Sequence, residues 1–109
     1  MAPLARATGI HTSAHTSGDT SAETALASAL ADGRLLHIAC DLAQEDAVCA
    51  AFRRIAEGFG RIDGLVNSAG IESRHLLGDM GAADWVRALD VDLRGTMLCL
   101  REAAALMRE

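Results

Sequence analysis

The feature that most constrains the fold is an alternation between short apolar segments and longer segments of helical periodicity. Leu35 to Cys40 (LLHIAC) and Ile62 to Asn67 (IDGLVN) have the length and composition of buried strands, and a weaker candidate lies around Ile10 to Ser13. Helical patterns follow each of them. Because parallel strands need long crossovers, this order predicts an α/β fold with a parallel sheet and helices on its faces.

Two helices are predicted between these strands. The first starts at Thr20, where Glu23 completes the pattern of a capping box, and it stops near Gly33. The second covers Gln44 to Phe59, with two neighbouring apolar stripes, acidic residues at the positive end of its dipole and glycines at its end.

The last helical pattern begins at Ala82. Its apolar residues recur at intervals of three or four positions, at Leu89, Leu93, Met97, Leu100, Ala104 and Met107. Gly95 interrupts this pattern and predicts either a break in the helix or close packing against a neighbouring element.

The composition bounds the size and class of the protein. Its 109 residues form a single domain at most, spanning 1–109, and half of them are apolar. The net charge is −5, and the basic residues are ten scattered Arg without any Lys. Since no basic stripe is present, we expect neither nucleic-acid binding nor attachment to an anionic membrane.

The cysteines Cys40, Cys49 and Cys99 are odd in number and far apart, each within an apolar stretch. We therefore expect buried, reduced thiols rather than a disulfide framework. The sequence starts without the apolar run of a signal peptide, and no later run reaches membrane-spanning length. Together these features predict a cytoplasmic protein.

Two motifs of polar and small residues follow the predicted strands. Asp41-Leu42 comes near the end of LLHIAC, and Asn67 to Gly70 (NSAG) ends IDGLVN. Parallel α/β sheets bind ligands at the carboxyl ends of their strands, so we expect both motifs to meet at one edge of the sheet. The alternatives are helix-entry chemistry for Asp41 and an ordinary turn for NSAG.

Two pairs of residues have spacings that could suggest a metal site. His11 and His15 are four positions apart, and His37 and Cys40 are three apart. His15 is predicted in a loop and His37 in a strand, so the ligand geometry of a helix does not follow. We predict surface or core residues here and no metal site.

The motifs CDL, NSAG and DWVRALDVDLRG, in this order and spacing, resemble those of the short-chain dehydrogenases/reductases. The resemblance runs from about Leu4 to Glu109 and covers the middle of such a protein. It implies a partial Rossmann-type fold, a doubly wound parallel sheet flanked by helices. It also implies an oxidoreductase that transfers hydride between NAD(P) and a carbonyl or alcohol substrate.

The resemblance assigns roles to the residues of the first two motifs. Asp41 would meet the adenine amine, and Leu42 would cover the ring. Asn67 would help to hold the central sheet, while Ala69 and Gly70 would lie along the adenosine ribose. The implied cofactor-binding residues are Asp41, Leu42, Asn67, Ser68, Ala69 and Gly70.

The third motif bears on catalysis. DWVRALDVDLRG is similar to the stretch that ends in the family's Asn-Leu-x-Gly, and Asp92 occupies the position of that catalytic Asn. In the family, the backbone at this position holds a water of the proton relay. The replacement of Asn by Asp therefore need not abolish the role.

Other family features are missing from the sequence. Thr8-Gly9 resembles the start of the phosphate-binding glycine loop, but Ser13 and His15 stand where its next glycines belong. LARATG is therefore interpreted as the tail of the first helix, which leaves the first strand and the glycine loop absent. The sequence contains no Tyr and no Lys, the family's proton donor and its partner. We expect a fragment that is inactive by itself.

The cofactor that the resemblance implies is NAD or NADP. An acidic residue after the second strand would signal NAD, and HTSAH contains none, which favours NADP. The implied partners are a small carbonyl or alcohol substrate and a second copy of the chain, bound through the helix of residues 93–107. The alternative is a truncated, non-catalytic piece that binds a nucleotide or another subunit.

Overall fold

The described residues form a sheet of two parallel strands joined by a helical crossover. The computed structural model describes residues 7–11, 20–72 and 74–108. Strand β1 (Ala7–His11) pairs with β2 (Leu35–Ala39) in parallel, with Ala7 opposite Leu35 and His11 opposite Ala39. Helix α1 (Thr20–Ala31) lies between them in the chain. The predicted parallel arrangement is confirmed for this pair.

The position of β1 corrects one sequence interpretation. Ala7, Thr8 and Gly9 belong to the strand, so these residues of LARATG are not the tail of a helix. Leu4–Arg6 and Ser13 lie outside the described residues, and so does His15. Pairing with β2 supplies the backbone partners that a strand of such low apolar content needs, which local composition alone did not reveal.

Glycine ends the first two helices as predicted. Gly33 has a φ of +67°. Two backbone amides that follow α1 donate hydrogen bonds to carbonyls of its last turn, Gly33 to Leu30 (3.2 Å) and Arg34 to Ala29 (3.0 Å). This is the Schellman arrangement, which favours glycine because a side chain is strained at positive φ. Gly60 ends the next helix and also has a positive φ, of +79°.

Helix α2 (Glu45–Phe59) forms one wall of the core. Its buried residues are Val48, Ala51, Phe52 and Ile55. They belong to the predicted stripes, and the acidic residues of the first turn lie at the positive end of the dipole. The helix packs against both β2 and the last helix of the chain. The prediction of this helix is confirmed to within one residue.

The segment after α2 contradicts the prediction of a strand. Residues 61–72 form no strand, and the backbone of Leu65–Asn67 makes no hydrogen bond to another described residue. Ile62 and Leu65 pack against the core, whereas Val66 is 88% exposed. A strand needs a partner for its backbone groups, and neither described strand lies beside this segment.

The final helical pattern is divided into two α-helices by a π-helical turn. Helix α3 (Ala82–Leu89) follows a 3₁₀ turn at Leu77–Asp79. The π turn covers Asp90–Arg94, and α4 (Gly95–Met107) follows it directly. The π turn inserts its extra residue directly before Gly95. The backbone keeps helical dihedral angles from Leu89 through Gly95, so the hydrogen-bond pattern changes here without a break of the helix.

The core lies between the β2 strand and the helices α2 and α4. Its most buried members are Ile38, Cys40, Leu42, Val48, Ala51, Phe52, Ile55, Leu98, Cys99 and Ala103. Cys40 and Cys99 are buried free thiols, and Cys49 is a partly buried one, as expected. Burial raises the pKa of both Cys40 and Cys99, so these thiols stay protonated. The coarse class, α/β, is confirmed, with one parallel pair of strands among the described residues; the doubly wound sheet stays a prediction.

Candidate functional site

The carboxylate of Asp41 stands just after β2 and is held on both of its oxygens. Oδ1 accepts the backbone N–H of Ala43 at 3.0 Å, and Oδ2 accepts a hydrogen bond from Arg87 Nη1 at 3.1 Å. The side chain keeps 43% of its surface exposed. These two hydrogen bonds, the one from Ala43 first, lower the pKa of Asp41 because they stabilise its charged form.

The contacts of Asp41 bear on both hypotheses for this residue, a turn at the entry to a helix and a ligand-binding carboxylate. The hydrogen bond to Ala43 is a turn interaction at the entry to α2, as expected if Asp41 serves only the local turn. The bond to Arg87 comes from α3, 46 positions further along the chain. A turn does not require that second contact.

Leu42 lies in the core, where it packs against the start of α4. Its exposure is 5%, and a Cβ atom added at Gly95 would come within 2.8 Å of the Leu42 Cβ. A side chain buried to this degree has almost no surface to offer a ligand. The placement confirms close packing at Gly95, while the role of Leu42 at an adenine ring stays a prediction.

The NSAG motif lies in the extended segment and faces solvent. Asn67, Ser68 and Gly70 are exposed, and Ala69 is half-buried against the core. The role of Asn67 in holding the sheet stays a prediction, since neither described strand pairs with its segment. Gly70 is not at a strand end, since no strand forms here.

The π turn connects to the residue that follows NSAG. Asp92 Oδ1 accepts the backbone N–H of Ile71 at 2.8 Å, and it lies 3.5 Å from where a Cβ atom of Gly70 would be. Thr96 Oγ1 donates a 2.7 Å hydrogen bond to the backbone carbonyl of Asp92. Both the side chain and the carbonyl of Asp92 are therefore engaged.

A single helical segment thus reaches both candidate motifs. Arg87 on α3 holds Asp41, and Asp92 in the π turn holds Ile71. A third contact, from Arg94 Nη1 to the Ala43 carbonyl at 3.2 Å, fixes the π turn to the residue after Leu42. The two motifs are thus attached to one segment, while their expected meeting at neighbouring strand ends stays a prediction, since residues 61–72 form no strand.

Arg87 and Arg94 were missed by the sequence reasoning. Their partners lie 46 and 51 positions away, so neither a local spacing nor a charge pair on one helix face points to them. Arg94 also approaches Glu45 Oε2 at 3.5 Å. Only the folded arrangement of α3 and the π turn against the end of β2 reveals these contacts.

The described residues contain neither a metal-binding cluster nor a membrane-spanning helix. No group of three or more His, Cys, Asp or Glu residues is placed to hold a metal ion in the described part of the chain. None of its helices combines the length and apolar character that a membrane span requires, again within the residues that the structure describes.

Comparison with known proteins identifies the family. The sequence model of a family described as Enoyl-(Acyl carrier protein) reductase matches residues 1–109, the entire chain. Similar curated proteins and solved structures carry the names of short-chain reductases and dehydrogenases. The chain belongs to the short-chain dehydrogenase/reductase family.

Three relatives illustrate the similarity. Over 69 residues, 63% of this chain, it is 52% identical to the short-chain reductase protein NovJ of Streptomyces niveus. Over 75 residues, 69% of this chain, it is 35% identical to a 3-oxoacyl-[acyl-carrier-protein] reductase of Synechocystis. A short-chain dehydrogenase of Burkholderia cenocepacia, solved in complex with NADP, matches 90% of this chain at 32% identity and a TM-score of 0.71.

The matched region is a limited part of each relative. The chain spans 26% of the Streptomyces protein, 30% of the Synechocystis protein and 40% of the solved Burkholderia chain. The relatives' activities are therefore properties of considerably longer chains.

Proposed function

We propose that this chain supplies the adenosine side of an NAD(P) site in a short-chain dehydrogenase/reductase. In such a protein, hydride passes between the nicotinamide cofactor and a small carbonyl or alcohol substrate. The observation that carries the proposal is the shared attachment of Asp41 and of the 67–71 segment to one helical segment, through Arg87 and Asp92. An exposed carboxylate and a small-residue backbone are thereby held in one region.

The residues present fit an adenosine group. The half-exposed Asp41 carboxylate can accept a hydrogen bond from an exocyclic amine, as carboxylates do. Gly70 has no positive φ, and a Cβ atom there would make only an ordinary contact with Asp92. Since the chain itself does not require glycine at this position, a ligand that approaches the backbone gives a reason for it. Ser68 and Ala69 precede Gly70 in the chain and would lie beside the same ligand.

Catalysis by the family involves groups that these 109 residues do not contain. The sequence has no Tyr and no Lys, so no residue here can play the parts of proton donor and ribose-binding cation. Asp92 is the candidate at the position of the family's Asn, where a backbone carbonyl holds a water. That carbonyl already accepts the Thr96 hydroxyl at 2.7 Å, so a water there would share it with this bond.

NADP is our preferred cofactor, because HTSAH carries no acidic residue that would repel a 2′-phosphate. The Burkholderia relative solved with NADP agrees with this preference. The free thiols are consistent with a reducing compartment, and we propose the cytoplasm.

The alternative function is a non-catalytic piece that binds a nucleotide or another subunit. It is favoured by large apolar side chains that remain exposed along α3, the π turn and α4, at Trp85, Val86, Leu89, Leu93, Met97, Leu100 and Met107. Exposed apolar surface of this extent is typical of interaction sites. In the enzyme proposal, the same helix of residues 93–107 joins two copies of the chain.

Adenosine binding to the purified chain tests the proposal. We expect ¹H–¹⁵N chemical-shift changes at Asp41–Ala43 and at 67–71 during an adenosine titration, without any NADP-dependent carbonyl reduction. Asp41→Ala should weaken binding, whereas Asp63→Ala, which removes another exposed carboxylate, should not. Asp41→Asn retains an oxygen for the Ala43 amide and separates loss of the turn from loss of the charge.

Two outcomes would contradict the proposal. One is an absence of shift changes at both motifs in a chain that is folded. The other is turnover of a carbonyl substrate above a contaminant control, which would contradict the expectation that these residues alone are inactive.

A further inference from the structure

The contact between Arg87 and Asp41 is not accounted for by the local turn. The turn uses Oδ1 of Asp41 and the Ala43 amide, which are two residues apart. Oδ2 would be free to rotate toward solvent if the turn were its only constraint. Instead it accepts a hydrogen bond from Arg87 Nη1 at 3.1 Å, so both oxygens of the carboxylate have fixed positions.

Arg87 reaches this position from a helix that is itself attached to the same region. At its start, the Asp84 carboxylate accepts the Gly81 N–H at 3.1 Å, which caps α3. Beyond its end, Arg94 bonds to the Ala43 carbonyl and Gly95 packs against Leu42. Helix α3 is therefore docked next to Asp41 by contacts that do not involve Arg87.

The two fixed oxygens of the Asp41 carboxylate have lone pairs left that can accept hydrogen bonds from an amine. Each carboxylate oxygen has about two acceptor sites, and one site on each is used by Ala43 or Arg87. The exposed sites can accept an amine hydrogen. They would repel a carbonyl oxygen at the same place. An oriented carboxylate of this kind distinguishes a 6-aminopurine from a 6-oxopurine.

We propose that Arg87 is a positioning residue that orients the Asp41 carboxylate for the exocyclic amine of an adenine base. The inference rests on the proposed function, because it assigns the base to Asp41. Arg87 acts through Asp41 and has no contact of its own with the base. Its loss should reduce discrimination between bases more than it alters the fold, since half of its side chain is exposed.

Parallel titrations with adenosine and inosine test this inference. Inosine has a carbonyl oxygen in place of the exocyclic amine. For the unmodified chain we expect tighter binding of adenosine. Arg87→Ala should raise the dissociation constant for adenosine about two- to fivefold, the range of an exposed ion pair, and leave that for inosine unchanged. Arg87→Lys keeps the charge with a single donor group and should restore part of the preference.

The control variant is Arg61→Ala, which breaks an exposed Arg–Asp pair elsewhere in the chain, with Asp63. It should leave both dissociation constants unchanged. A second readout needs no ligand: NMR titration of the Asp41 carboxyl. Arg87 lowers the pKa of this carboxyl, so Arg87→Ala should raise it, while the Ala43 amide still keeps it below its ordinary value.

The outcomes separate the two proposals. If the unmodified chain prefers adenosine and Arg87→Ala shows the same preference, the positioning role is wrong and the proposed function stands. An unchanged Asp41 titration in Arg87→Ala would likewise overturn the positioning role. If the folded, unmodified chain does not discriminate between the two nucleosides, the assignment of the base to Asp41 fails, and this inference fails with it.

Discussion

At the scale of single residues, two glycines of this chain have different reasons to be glycine. Gly95 is required by the fold, because a Cβ atom would lie 2.8 Å from the Leu42 Cβ and 3.1 Å from the Leu42 carbonyl oxygen. Gly70 is required neither by packing nor by a positive φ. The first is explained by contact between α4 and the end of β2, and the second by the proposed approach of a ligand.

Gly95→Ala should destabilise the chain by about 2 kcal/mol. Overpacking against an atom next to the backbone costs about 1–3 kcal/mol, and we expect the upper end because neither Cβ can rotate away. The better helix propensity of Ala offsets about 1 kcal/mol of this cost. Urea unfolding followed by circular dichroism measures the difference. Gly64→Ala is the control, since nothing lies within 4 Å of its added Cβ; equal stability of the two variants would contradict the prediction.

At the scale of elements, the π turn at Asp90–Arg94 organises the candidate site. It separates α3 from α4, and its residues reach in two directions, with Asp92 bound to Ile71 and Arg94 to Ala43. A π turn adds one residue to a helical turn, and such turns are frequent at functional sites. Here the extra residue precedes the glycine that allows α4 to approach Leu42 closely.

Asp92→Ala should free the loop that follows NSAG. The variant removes the acceptor of the Ile71 amide, and an exposed hydrogen bond contributes about 1 kcal/mol, so the Ile71 amide should exchange with solvent about fivefold faster. Asp92→Asn retains a side-chain oxygen and should exchange at nearly the rate of the unmodified chain. Site-resolved hydrogen exchange by NMR measures this rate, with Asp63→Ala as the control. An unchanged Ile71 rate in Asp92→Ala would show that this tie does not hold the loop.

The elements also show where sequence patterns sufficed. Helix α2, the stop at Gly33 and the strand at Leu35 depend on local periodicity or on the conformational freedom of glycine, and they were predicted to within one or two residues. The strand at Ala7–His11 was partly misread because its backbone partner in β2 decides its structure. Arg87 was missed for a similar reason, since its partner lies far away in sequence.

At the scale of the whole molecule, the described sheet is small for the fold that the family implies. A doubly wound sheet has the strand order 3-2-1-4, in which the first strand lies between the second and the fourth. If β1 and β2 are the second and third strands, Leu65–Asn67 takes the place of the fourth. No described strand occupies the position of the first strand, between β1 and Leu65–Asn67. The radius of gyration, 16.1 Å, also exceeds the value of about 13 Å for a compact domain of this length.

The last prediction concerns the amides of Leu65–Asn67. Their segment packs on the core through Ile62 and Leu65 but has no strand partner among the described residues, so only side-chain contacts restrain it. We expect these amides to exchange with little protection, while the amides of Val48–Ile55 in α2 show the highest protection in the chain, because their hydrogen bonds are internal to a buried helix. Native-state hydrogen exchange on the monomeric chain provides both values in one experiment. Protection of Leu65–Asn67 at a free energy of about 5 kcal/mol or more would mean that these amides open only with the whole domain. The segment would then be a stable part of the fold without a central strand beside it, and the strand order 3-2-1-4 would not describe this chain.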